Sequence, residues 1–123
     1  LMVIKVQFLP IIAKPKENEV LFNAYDTVKT TQNHVALAFR QTGQCPLDLP
    51  IDSGTEQVHI DIDRSAAGVA TDCAVIATIQ NVKFPIRYLN DQTLVFYHLP
   101  NSDDWECISS LNKKQAPENC SPD

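Results

Sequence analysis

Apolar and small residues recur at Val20, Leu21, Ala24, Val28, Thr31, Val35, Ala38 and Phe39. Steps of three and four mark one buried face of an α-helix. Asn18, Asp26, Lys29, Asn33 and Arg40 fall on the opposite, wet face, with His34 beside them as a surface or boundary histidine. Pro15 suits the first helical position, where its missing N–H is not needed. Glu17 and Glu19 suit the positive N-terminal end of a helix, and Gly43 can take a left-handed cap after Arg40. The pattern predicts a long helix over about residues 16–42.

Residues 44–56 read as a loop, with turn chemistry at Cys45-Pro46, Leu49-Pro50 and Asp52-Ser53-Gly54. From residue 57 the period changes to two. Val58, Ile60 and Ile62 alternate with His59, Asp61 and Asp63, a strand with one wet face. Val69–Ile79 reads as a long central strand containing Cys73, Ile86–Leu89 as a short strand after Pro85, and Thr93–Leu99 as a strongly β-prone one. Trp105 and Ile108 are expected to pack on this sheet and anchor the tail. Helix first and strands after predict an α+β fold, a long N-terminal helix on a roughly four-stranded antiparallel sheet over residues 57–99.

The chain has 123 residues, which fits one domain with a modest core. Ten basic and fifteen acidic residues give a net charge of −5, which disfavours a general nucleic-acid binder. The first twelve residues, Leu1–Ile12, are mostly apolar but are interrupted by Lys5 and Pro10. They are too short for a membrane span and lack the layout of a signal peptide. They read as a leader or a remnant foreign to a domain over residues 13–123.

The four cysteines, Cys45, Cys73, Cys107 and Cys120, form no C-x-x-C pair, so the usual zinc spacing is missing. An even set in a small chain points to two disulfides and an oxidising compartment. The segment between Cys107 and Cys120 is polar and carries Pro117, a poor core segment. A disulfide closing a loop of this size removes roughly 3 kcal/mol of unfolded-state entropy. Three pairings of four cysteines are possible, and the sequence alone does not choose among them.

No catalytic signature is present: there is no G-x-S-x-G, no H-E-x-x-H and no Gly-rich phosphate loop. Ser109-Ser110 gains no catalytic meaning from the sequence, and the chain reads as a non-enzyme without a cofactor. His59, Asp61 and Asp63 share a strand face, but neighbours about 7 Å apart in a line make a poor metal cage. Lys113 and Lys114, in the segment that follows Trp105, are candidates for contact with an anionic polymer.

Trp105-Glu106-Cys107 and Pro117-Glu118-Asn119-Cys120 resemble the W-x-C…P-x-x-C loop that ends type IV pilins. The helix exit Gly43-Gln44-Cys45-Pro46 is similar to that family's helix end, and Ala13-Lys14 with Glu19-Val20-Leu21 to the segment where its helix leaves the membrane. The resemblance covers about Ala13–Cys120. It implies a pilin head domain with a disulfide-bound tail over residues 105–120, a Cys107–Cys120 pair, and with it Cys45–Cys73. It further implies a structural subunit of a surface filament, partnered by other pilin subunits and the pilus assembly machinery. Adhesion to a host surface, twitching motility and DNA uptake are the family's activities. The family's hydrophobic half-helix, which holds the subunit in the inner membrane before assembly, would lie upstream of residue 13. A second cysteine pair is not general in the family and points to a variant major or a minor pilin. Within the family the alternative is a minor pilin acting as a DNA receptor; from another class, a secreted, disulfide-stapled monomeric binding domain fits the same composition.

Overall fold

A single α-helix, α1 (Met2–Thr42), supplies one layer of the fold in a computed structural model that describes residues 2–48, 54–112, 115–117 and 120–122, with side chains from residue 14. The helix runs through Pro15 rather than starting beside it. Pro15 and Pro10 each remove one N–H from the i→i−4 ladder. Once nucleated, a helix gains one bond per residue, so a 41-residue element absorbs two missing bonds. Glu17 therefore stands well inside the helix. At the other end Gly43 adopts φ +75° and its N–H donates to the Phe39 carbonyl at 2.7 Å, closing the helix with a left-handed residue.

The second layer is one sheet in the order β1-β2-β3-β4-β5, built from β1 (Val58–Asp63), β2 (Ala74–Ile79), β3 (Thr93–His98), β4 (Trp105–Ser109) and β5 (Ser121–Pro122). The first four pair antiparallel, each with its chain neighbour. The fifth pairs parallel with β4 through Ile108↔Ser121 and Ser109↔Pro122. The sheet is thus mixed and five-stranded, not four-stranded and antiparallel.

Three expectations change. Trp105–Ser109 is a strand of the sheet itself, because Trp105, Cys107 and Ser109 alternate with Glu106 and Ile108 between two faces. Arg87–Leu89 is a turn of 3₁₀-helix, following the cis bond between Phe84 and Pro85. The central strand begins only at Ala74. Upstream of it Ala66 and Val69 form a single bridge, and the Thr71 hydroxyl donates to the carbonyls of Cys73 and His98.

Val20, Leu21, Ala24, Val28 and Val35 of α1 face Val58, Val75, Ala77, Ile79, Leu94 and Phe96 across the layer boundary. Val28 and Val35 are completely buried, each worth about 1.5–3 kcal/mol of transfer free energy. Ala24 is also fully buried, a small side chain that lets helix and sheet approach closely. Ala38 and Phe39, placed on the same face, are half-buried because the helix end passes the sheet margin. The far side of the sheet carries a smaller cluster, Ala74, Val95 and Tyr97, flanked by Val69, Ile76 and Ile108. Ile108 thus belongs to the outer face and Trp105 to the helix-facing one.

Candidate functional site

Two disulfides frame the molecule. Cys107 on β4 joins Cys120, returning the chain end to the sheet edge where β5 pairs. Cys45, two residues past the helix cap, joins Cys73, just before β2. All four cysteines are buried. The first bond fixes the tail, and the second ties the helix exit to the centre of the sheet.

Between the two staples lies a ring cluster. His98 stacks against Phe39 at 4.7 Å and Trp105 at 5.4 Å, measured between ring centroids. Its Nδ1 donates to Asp72 Oδ1 at 2.7 Å, with the His98 side chain only 7% exposed. Asp72 immediately precedes Cys73, so this hydrogen bond pins the segment carrying the second disulfide to β3. His98 lies on the same side of β3 as Leu94 and Phe96, against the helix, and the fold brings Asp72 to it from outside the strand.

At the opposite end of the sheet, beside Lys14 and Glu17 of α1, a cleft of about 640 Å³ opens between the helix, the loop before β3 and the stapled tail. Lys14, Glu17, Tyr88, Gln92, Ser110 and Gln115 are among its lining residues. Glu17 is 5% exposed, and its carboxylate accepts from Gln115 Nε2 and pairs with Lys14 Nζ at 3.5 Å. Half of Tyr88 is exposed, but its phenol end is desolvated against the cleft and meets the Glu17 carboxylate by charge and hydrogen bond. Its pKa is raised for those reasons, in that order. In the sequence Glu17 reads as a helix-terminal residue, because Pro15 suggests a start there. Its contact with Gln115, ninety-eight positions away, carries no local signal.

The remaining candidates fall as follows. Lys113 and Lys114 lie outside the described residues. His59 Nε2 and Asp61 Oδ1 form an exposed pair at 3.3 Å. Asp63 accepts the N–H groups of Arg64 and Ser65 in the turn after β1. Among the described residues, no group of three or more His, Cys, Asp and Glu is placed to hold a metal ion. Ser109 is buried and accepts from the Leu111 N–H, and Ser110 bridges Gln92 and Thr93. His34 is exposed on the outer helix face. Among the described residues, no helix is long and apolar enough to cross a membrane.

No family model, no curated protein and no solved structure matches the chain.

Proposed function

We propose that the chain is the head domain of a type IV pilin, a structural subunit that polymerises into a bacterial surface filament. The observation that carries this reading is the Cys107–Cys120 staple on strand β4, beside a sheet packed on one long helix. It joins the W-x-C…P-x-x-C sequence to the architecture that the resemblance implies. The parallel β5 and the Cys45–Cys73 pair are this chain's own additions. In this reading Val20, Leu21, Ala24, Val28, Val35 and Phe39 fix the helix to the head. The loop after the helix and the stapled tail form the edges that meet neighbouring subunits. An inner-membrane pool precedes assembly, and the filament stands outside the cell. Adhesion, twitching and DNA uptake follow from the filament and not from a reaction centre. Two disulfides support an oxidising, extracellular setting.

Shearing native cells and probing the pelletable surface fraction with an antibody to this chain tests the reading. Recovery in a filament fraction that shearing releases is the expected result. Recovery as a soluble monomer in unsheared culture medium overturns it in favour of a secreted binding domain.

A further inference from the structure

The loop joining β2 to β3 carries Lys83-Phe84-Pro85-Ile86-Arg87-Tyr88, six residues without an acidic group in a chain of net charge −5. Phe84 is 70% exposed and Tyr88 52%, and Lys83 and Arg87 are exposed as well. The loop straddles one stretch of α1. Tyr88 lines the cleft that holds Lys14, and Lys83 and Phe84 line a second cleft, of about 240 Å³, together with Lys16. Four of the ten basic residues therefore surround Phe84, the most exposed large hydrophobic side chain among the described residues, and the half-exposed Tyr88. Glu17 and Glu19 line the two clefts; Glu17 is buried and already paired with Lys14, and Glu19 is exposed. Exposed Glu56 and Asp91 flank the two ends of the loop, so the positive charge of this face is carried by the loop itself, with Lys83 and Arg87 and no acidic residue.

The loop is held in place. The Asn90 side chain accepts the Val82 N–H at 2.8 Å and donates to the Val82 carbonyl at 3.0 Å, clamping its two ends together. Ile86 and Leu89 anchor it in the core, which leaves Phe84 outside. A fixed loop presenting a bare phenyl ring among cations is not explained by packing.

We propose that this face docks on an anionic lipid bilayer. Phe84 and Tyr88 sit at the headgroup level, and Lys14, Lys16, Lys83 and Arg87 meet the lipid phosphates. Exposed aromatics ringed by basic groups match the chemistry of a membrane interface. The helix supports this choice of occupant, because α1 continues from Lys14 back to Met2 at this same end, through a stretch with Lys5 as its one charged residue. The inference stands on this surface whether or not the chain enters a filament, so the shear experiment and the one below fail independently.

The test is flotation of the 123-residue chain with phosphatidylcholine vesicles, with and without phosphatidylglycerol. The chain is expected to float with the anionic vesicles and not with the neutral ones, and added salt weakens the association. The double variant Lys83→Glu/Arg87→Glu should lower partitioning by about tenfold or more, and Phe84→Ser by about fourfold or more. All three positions are exposed, so thermal unfolding of the variants should match the parent. Equal flotation of parent and variants would assign binding to the N-terminal helix alone and overturn the proposal. Failure to float with either vesicle overturns it too. So does binding of a fluorescent oligothymidylate through Lys83 and Arg87 without vesicle binding, which would make the face a single-stranded nucleic-acid platform.

Discussion

Removing the Cys107–Cys120 bond by a double Cys→Ala substitution isolates what the staple contributes. The bond spans a separation of 13 positions. In the chain-entropy model, closing a loop of that size lowers unfolded-state entropy enough to stabilise the fold by about 3 kcal/mol. Both cysteines are buried, and alanine leaves no unsatisfied polar group there. What the native state loses beyond the bond is small, since β5 holds β4 through two residue pairs only. For a chain of this length, about 3 kcal/mol corresponds to a fall in Tm of roughly 10–15 °C. The assay is thermal unfolding followed by circular dichroism under non-reducing conditions, parent against variant. Loss of Gln115 from Glu17 adds to the effect if the tail swings away, because the buried carboxylate then keeps Lys14 and Tyr88 but loses a donor. The Cys45–Cys73 bond, with a separation of 28, should matter slightly more, about 3.6 kcal/mol by the same model. A fall of under about 3 °C on removing Cys107–Cys120 would refute the reasoning, since the tail would then be closed equally well without a covalent bond.

Ala24→Leu inserts three carbons where the helix meets the sheet and should cost about 1–3 kcal/mol, read as a lower urea midpoint. Asn90→Ala removes both hydrogen bonds to Val82, whose residue is buried. It should cost about 1–3 kcal/mol and speed amide exchange in the loop carrying Phe84. Burial, then the hydrogen bond and charge of Glu106, raise the Tyr97 hydroxyl pKa, as burial and then Glu17 do for Tyr88. The unfolded chain ionises both phenols near about 10, so their contribution is fully present below that pH and is lost as pH rises through the folded-state values. Stability should therefore fall above about pH 10, and Tyr97→Phe should flatten that fall. Absorbance at the tyrosinate band and thermal unfolding across that range check it.

The helix was legible because its buried stripe is periodic. Val20 through Val35 alternate by three and four, and Gly43 supplies the cap where the stripe stops. Its start was not legible, because Pro15 signals a beginning locally but sits inside a helix long enough to absorb it. Strands β1 and β3 announced themselves by alternation and β-branched content. Strand β4 did not, because Trp105-Glu106-Cys107 reads equally as the mouth of a disulfide loop, and its pairing with β3 is set by His98↔Trp105 and Leu94↔Ser109, a register no single segment carries. Ile86–Leu89 has strand-like residues, but it is anchored by Ile86 and Leu89 as a 3₁₀ turn. The clefts at the sheet ends were invisible for a simpler reason. Glu17 with Gln115, and Asp72 with His98, are meetings of distant positions.

Peptide mapping of the unreduced protein tests the central arrangement most directly. Trypsin separates the four cysteines into residues 41–64, 65–83, 88–113 and 115–123. Peptide 41–64 should be linked to 65–83, and 88–113 to 115–123, with no free thiol. A link between 88–113 and either of the first two peptides would contradict it, removing both the stapled tail and the ground for reading the chain as a pilin head.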